Sequence, residues 1–295
     1  MAFRELARAK INLTLTVLGR RPDGYHDVVS LVAFAGIGDR VILHPGPECK
    51  VTACGPFAAA IEGPNLLVRT LELLRGLKPE LRLGAVELEK ALPVAAGLGG
   101  GSADAAALLR AVRRANPERA TAINWHDLAL RLGADVPVCL AGQPAVMRGI
   151  GDRIEPLLAA LPPLACVLAN PRVPLPTARV FAALAARARS AAPHRSSEWD
   201  ARPAAEPAAF FDLDALLLHM RARGNDLERA ATSLLPAIAE VKAALSAAPQ
   251  CRLAAMSGSG PTCFGIFTDD GAAERATEAL ARAHPGWWIA ATRLD

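Results

Sequence analysis

The stretch Leu92-Pro93-Val94-Ala95-Ala96-Gly97-Leu98-Gly99-Gly100-Gly101-Ser102-Ala103-Asp104 has the composition of an anion cradle, with four glycines in five positions. Glycine admits positive φ angles and close backbone approach, so several peptide N–H groups can converge on an anion at the positive end of a following helix. Phosphate is the anion such a run suits, and a nucleotide is its natural source. Two common phosphate motifs do not fit. A P-loop sets Lys directly before the Ser or Thr that opens the helix, and Gly101 stands there. The dinucleotide pattern G-x-G-x-x-G would need glycine at Ser102 and a loop running straight off its strand, whereas Pro93 intervenes. The signatures H-R-D and D-F-G are absent from the chain.

The elements that must position this run can be read on either side of it. Val86 and Leu88 alternate with Glu87 and Glu89, the period of a half-buried strand. Ala105, Leu108, Leu109 and Val112 fall on one helical face, Ser102 is the expected N-cap, and Asn116-Pro117 supplies the stop. Nearer the start, Ile11, Leu13, Leu15 and Val17 alternate with Lys10, Asn12, Thr14 and Thr16, which predicts a strand with Lys10 and Asn12 on one polar face. Arg20 to Gly24 makes a turn beside Tyr25 and His26, and Val28 to Phe34 is the return strand. Helices are expected over Asn65 to Leu77 and Trp125 to Leu132, the second ending at Gly133 as its C′ residue. Locally, Lys10 reads as a solvent-facing strand residue and Asp135 as an Asx-turn residue before Val136-Pro137.

A strand over Leu164 to Ala169 follows a turn near Gly149 to Pro156, which suggests domains of 1–155 and 156–295. Ala182 to Ala209, rich in Ala, Arg, Ser and Pro, reads as a helix end and then an exposed loop. Helices resume over Asp212 to Arg223 and Leu227 to Ala247, parted by Gly224-Asn225-Asp226. A second glycine-rich turn, Met256 to Thr262, precedes the apolar strand Cys263 to Phe267. Because a strand follows it, that turn is no helix-capped cradle; it is either a tight hairpin or a wall of the site.

The 295 residues carry 33 Lys and Arg against 29 Asp and Glu, and the single Tyr leaves no basic face interleaved with aromatics for nucleic acid. No run approaches the roughly 20 apolar residues of a membrane span, and a cytosolic protein is expected. Six dispersed cysteines form no C-x-x-C pair; Cys139, Cys166 and Cys263 lie in apolar runs and read as reduced core residues.

Taken together, Ala9-Lys10-Ile11-Asn12-Leu13, the Pro93 to Asp104 loop and Met256 to Cys263 resemble the GHMP kinase superfamily, the group of galactokinase, homoserine kinase and mevalonate kinase. Arg21-Pro22-Asp23-Gly24-Tyr25-His26, Gly133-Ala134-Asp135-Val136-Pro137 and Gly224-Asn225-Asp226-Leu227 extend the resemblance through nearly the full chain. They bring it nearest the branch acting on a diphosphocytidyl sugar alcohol. The superfamily often has G-L-G-S-S where this chain has Gly97-Leu98-Gly99-Gly100-Gly101-Ser102, which fits that branch.

The resemblance implies an α+β fold of two domains, an N-terminal one like ribosomal protein S5 domain 2 and a ferredoxin-like C-terminal one, with the active site in the cleft between them. It implies ATP as donor, Mg²⁺ as the accompanying ion and the 2-hydroxyl of 4-diphosphocytidyl-2-C-methyl-D-erythritol as acceptor, in a monomer or homodimer. Val94, Ala95, Ala96, Gly97, Leu98, Gly99, Gly100, Gly101, Ser102, Ala103 and Asp104 would wrap the ATP phosphates, with Asn65 and Lys90 near the adenine. Lys10 and Asp135 would be the catalytic pair; Tyr25, His26 and Phe181 would meet the cytidine end, and Asn12 the substrate. Phosphoryl transfer asks for an aligned nucleophile and charge neutralisation, which a carboxylate and a lysine supply. Ser102 is the one candidate protein ligand for Mg²⁺, an ion often held mainly by nucleotide oxygens and water. The alternatives are another small-molecule kinase of the superfamily and a non-catalytic nucleotide-binding protein of the same fold.

Overall fold

Segments far apart in sequence assemble each half of this protein. The computed structural model describes residues 1–63, 65–190 and 206–295. One compact unit comprises Met1–Lys10, Ile37–Val94 and Gly99–Gly142, and the other Ile11–Gly36, Ala95–Leu98 and Gln143–Asp295.

In the first unit, the later part of β3 (His26–Pro45) pairs antiparallel with β5 (Gly84–Glu89), and β4 (Val51–Cys54) runs parallel to β5. Val86 and Leu88 are buried while Glu87 and Glu89 are exposed, as their alternation requires. Four helices, α1 (Leu66–Leu77), α2 (Gly100–Ala115), α3 (Trp125–Leu132) and α4 (Val136–Ala141), pack on one another in the same unit. Helix α2 is their centre. Six alanines with Leu108, Leu109 and Val112 are buried on it, and the small side chains allow the close approach of α1 and α4. Each of its buried Leu and Val side chains contributes about 1.5–3 kcal/mol. It stops at Asn116, whose side chain accepts from Arg82 N and donates to Val112 O.

In the second unit, β2 (Thr16–Arg20) and β6 (Ala145–Gly149) pair antiparallel with the first part of β3, and β7 (Arg153–Pro156) pairs with β6. β11 (Trp288–Leu294) also joins the first part of β3, through Leu294 and Ala35, and from it an antiparallel run continues through β8 (Leu164–Asn170), β10 (Cys263–Phe267) and β9 (Cys251–Met256). Helices α5 (Thr177–Ser190), α6 (Leu213–Arg223), α7 (Glu228–Leu234), α8 (Ala237–Ala247) and α9 (Asp270–Ala283) belong to this unit. Asp212 and Asp269 cap α6 and α9, accepting from Ala215 N and Ala272 N at 2.8 Å each.

Several expectations need correction. The strand over residues 10–17 is two pieces: β1 (Phe3–Asn12) ends at Asn12 and β2 begins at Thr16. Its polar residues do not face solvent either, since Lys10, Asn12, Thr14 and Thr16 are all at most 4% exposed. Alternation separates two faces but does not say what covers the polar one. For Asn12 and Thr14 hydrogen bonds do, with Asn12 Nδ2 donating to Ser30 Oγ and Leu31 N to Thr14 Oγ1, while the buried Thr16 Oγ1 finds no hydrogen-bond partner among the described residues. The helix over Leu227 to Ala247 is broken into α7 and α8 at Leu235-Pro236, because proline has no N–H to continue the ladder and its ring clashes with the preceding turn. Gly133 has extended backbone, φ 165°, instead of the left-handed C′ geometry. Of the segment Ala182 to Ala209, residues 191–205 lie outside the described residues.

Cys139, Cys166 and Cys263 are buried. Burial pushes the Cys139 and Cys263 thiols up to about 12 and raises Cys166 as well, so all three are protonated at neutral pH and serve as small apolar packing groups. Among the described residues no helix is long and apolar enough to cross a membrane.

Candidate active site

The glycine run delivers backbone N–H groups at the start of α2, three residues earlier than expected. Gly99, in left-handed conformation at φ 62° and ψ 20°, is the N-cap, and no side chain caps the helix. Ser102 is therefore the third helical residue, not the cap: the glycines make the turn through their own backbone, so the helix does not need to wait for a capping hydroxyl. Ala103 N donates the first intrahelical bond, to Gly99 O at 2.8 Å. The N–H groups of Gly100, Gly101 and Ser102 have no helical acceptor, and they stand at the positive end of a sixteen-residue helix.

Lys10 and Asp135 abut this helix start. A Cβ placed on Gly99 would lie 3.3 Å from Lys10 Cε and 3.9 Å from Asp135 Oδ2. Lys10 Nζ is 3.1 Å from Asp135 Oδ2, the lysine side chain being 5% exposed and the aspartate 36%. Neither local reading of these two residues holds. Lys10 is buried, and Asp135 occupies the N-cap position of α4 without any side-chain cap bond. Pro137 at the second helical position removes one of the N–H groups a cap would bind, which leaves the carboxylate to the lysine and to solvent.

Beneath the same helix start sits a second charged group. Lys90 Nζ donates to Asp39 Oδ2 at 2.5 Å and to Asp104 Oδ2 at 2.7 Å, all three side chains being at most 5% exposed. Asp39 Oδ1 also accepts from Ala91 N and Leu92 N, which fixes the chain where it leaves β5 for the glycine run. A Cβ on Gly100 would be 3.2 Å from Lys90 Nζ. Burial pulls the Lys90 ammonium down, but the charges of Asp104 and Asp39 and their hydrogen bonds outweigh it and hold it above its ordinary value. Burial pushes the Asp104 carboxyl up to about 7, with Lys90 pulling against it and Asp39 adding to the rise. Lys90 thus spends its charge on two carboxylates. Asn65 likewise caps α1, accepting from Leu67 N at 2.9 Å. Asp39 went unread in the sequence: the only signal is a charged residue inside a long β run, and the partners that explain it are 51 and 65 residues away.

The second unit holds the other expected residues. The turn Ser257 to Thr262 joins β9 to β10, whose Met256 and Cys263 pair, so it is a hairpin loop. It also touches the glycine run: Thr262 N donates to Ala96 O, and Ser257 Oγ to Gly97 O at 3.0 Å. Ser257 Oγ accepts in turn from Asn12 N at 3.1 Å. Gly97 has φ 73°, and a Cβ there would sit 2.4 Å from Ser257 O. Gly97→Ala should cost about 1–2 kcal/mol through the left-handed backbone alone, and the clash must move the loop. Thermal denaturation with nucleotide titration would read both losses; wild-type affinity would show that the loop plays no part in phosphate binding.

His26 and Phe181 stack with ring centroids 4.7 Å apart and planes 25° from parallel, while Tyr25 beside them is exposed. Burial lowers the His26 pKa and the nearby Arg20 charge lowers it further, which favours the neutral imidazole. His26 and Phe181 thus each present one ring face to the other.

A buried lysine on an aspartate, both against a glycine-capped helix start, is the equipment of a phosphoryl-transfer enzyme, and the comparisons with known proteins agree. Residues 65–143 match the GHMP kinases N terminal domain and residues 208–286 the GHMP kinases C terminal domain. The chain belongs to the GHMP kinase family. Within it, a 4-diphosphocytidyl-2-C-methyl-D-erythritol kinase of Cereibacter sphaeroides is 48% identical, with 98% of each chain covered. A protein of the same name from Rhodopseudomonas palustris is 45% identical over 100% of this chain and 99% of its own. A crystal structure of 4-(cytidine 5′-diphospho)-2C-methyl-D-erythritol kinase matches with a TM-score of 0.74 at 35% identity, covering 99% of this chain and 98% of that one. A homoserine kinase from Cytophaga hutchinsonii, 19% identical with a TM-score of 0.70, shares the fold.

Proposed function

We propose that this chain transfers the γ-phosphoryl group of ATP to the 2-hydroxyl of 4-diphosphocytidyl-2-C-methyl-D-erythritol, giving the 2-phosphate and ADP in isoprenoid precursor synthesis. The observation that carries the reading is the 3.1 Å Lys10–Asp135 pair beside Gly99. Asp135 orients the acceptor hydroxyl and takes its proton as the oxygen attacks phosphorus; Lys10 offsets negative charge on the transferring group and keeps Asp135 ionised. The N–H groups of Gly100, Gly101 and Ser102 receive phosphate oxygens, and their fixed direction supplies charge stabilisation without reorganisation. Val94 to Leu98 and Ala103 to Asp104 complete the wrap around the nucleotide, with Asn65 and Lys90 acting as framework.

Mg²⁺ would be carried mainly on nucleotide oxygens and water, and the Ser102 hydroxyl in the first turn of α2 is the protein oxygen that would be offered to it. When bound, the ion neutralises phosphate charge. For the acceptor, Asn12 contacts the sugar alcohol, while Tyr25, His26 and Phe181 receive the cytosine; stacking on an aromatic is worth about 1–3 kcal/mol per base in single-strand binders.

Release of ADP by the purified protein, measured with the diphosphocytidyl acceptor, mevalonate and homoserine in parallel, tests the proposal. Turnover is expected with the first alone. Turnover confined to mevalonate or homoserine would move the chain to another branch of the family, and nucleotide binding without transfer to any acceptor would make it a non-catalytic member.

A further inference from the structure

Gly224-Asn225-Asp226 has no part in the chemistry above, yet it is built into the support of the glycine run. It lies between α6 and α7 and forms a one-residue parallel bridge with Leu15: Leu15 N donates to Gly224 O and Asp226 N to Leu15 O, both at 2.9 Å. Asp226 Oδ2 accepts from Val17 N at 2.8 Å. The motif is thereby fixed to the junction of β1 and β2, just past Asn12.

From that anchor the Asn225 side chain reaches the glycine hairpin. Nδ2 donates to Met256 O at 2.9 Å and to Gly258 O at 2.8 Å, and Oδ1 accepts from Leu227 N at 2.9 Å. The amide orientation is unambiguous, since a flip would set Oδ1 against two carbonyl oxygens. Both N–H groups are spent on consecutive turns of one loop, one on each side of Ser257. Ser257 is the residue whose hydroxyl joins Asn12 N to Gly97 O. Gly258, held by its carbonyl, has φ 55°, and a Cβ there would be 3.1 Å from both Asn12 Oδ1 and Gly97 O.

We propose that Asn225 is a positioning residue for phosphoryl transfer: through Met256 O and Gly258 O it holds Ser257 and Gly258 against Gly97 and Asn12, fixing the loop that receives nucleotide phosphate and a residue that receives acceptor. It touches neither substrate. Its effect passes through the hairpin, so its loss acts on both binding partners together. An asparagine is required because the two carbonyls need two donors from one planar group while Leu227 N needs an acceptor. Aspartate keeps the shape and the Leu227 bond but turns a carboxylate oxygen toward two carbonyls.

The test compares Asn225→Asp with Leu74→Ala, a core change in α1 that lowers stability at a buried position outside the cluster that holds Leu15, Val17, Leu227 and Met256. Melting temperature, kcat, both KM values and hydrogen exchange of residues 95–98 and 257–262 are measured at a temperature where each variant is folded. Asn225→Asp should lower kcat/KM for ATP by about 10- to 100-fold, the scale of a small misplacement of catalytic groups, raise the acceptor KM and speed exchange in both segments. Leu74→Ala should keep wild-type kinetics and exchange there. Wild-type kinetics in folded Asn225→Asp, or a loss no greater than its unfolded fraction accounts for, would overturn the proposal. If aspartate prevents folding, Asn225→Ser removes the donors without adding charge, and the same outcomes decide. The kinetic arm rests on the kinase reading; wild-type protein inactive on every acceptor would sink that reading, while unchanged exchange in the variant would sink the role of Asn225.

Discussion

Asp135→Asn should reduce turnover by about 10²–10⁴, the scale of removing a general base, while leaving nucleotide affinity nearly intact. The asymmetry follows from where the groups stand. In the proposed mechanism phosphate is met by the N–H groups at the start of α2, none of which depends on Asp135, whose carboxylate caps nothing in α4. The amide keeps the size of the side chain and can still accept from Lys10 Nζ through its oxygen. It cannot take a proton from a hydroxyl near neutral pH. Single-turnover kinetics and a nucleotide titration separate the two properties. Unchanged turnover would remove Asp135 from the mechanism, and a fall in affinity equal to the fall in turnover would make it a binding residue instead.

Lys90→Met should destabilise the protein by about 3–5 kcal/mol, the cost of breaking a buried ion pair by removing one partner. Asp39 and Asp104 would then face each other across an apolar side chain, with no cation to offset them. Asp104 Oδ1 already lacks a hydrogen-bond partner, so the pair has little local support beyond the lysine and, for Asp39, the amides of Ala91 and Leu92. Protonation relieves part of the cost, since the Asp104 carboxyl stands near 7 even with Lys90 present. Adding Asp104→Leu to Lys90→Met should recover a substantial part of the loss, because an apolar replacement also removes the stranded charge. Urea denaturation of the single and double variants checks this. A loss under about 1 kcal/mol for Lys90→Met, the range of exposed pairs, would mean that water reaches the cluster.

These two residues illustrate what the chain discloses unaided and what it does not. Periodicity is a local property, so the β5 strand, α2 and its stop at Asn116, and the β10 strand were legible from burial pattern and terminators. Motif order was legible too, because chemistry tied to glycine spacing survives without knowledge of the fold. The Asp39–Lys90–Asp104 cluster was not, since nothing in residues 38–40 or 89–91 announces a buried pairing across 51 and 14 positions. Nor was the start of α2, where the backbone freedom of Gly99 replaced the side-chain cap expected of Ser102. The two compact units interleave three segments each, an arrangement for which a reading along the chain has no signal.

The sequence by itself determined that a glycine-rich turn opens a helix, and that Lys10, Asp135 and the Gly224-Asn225-Asp226 motif accompany it. It did so because residue types at fixed spacing constrain backbone angles and available chemistry before any tertiary contact forms. Only the tertiary structure decided how those residues are used. Burial sets Lys10 on Asp135 instead of in solvent and commits Lys90 to two carboxylates. It turns an asparagine between two helices into the brace of a loop some thirty residues downstream. The physical reason is that a buried polar group must find its partner wherever the fold brings one, and no local pattern specifies which segment that will be.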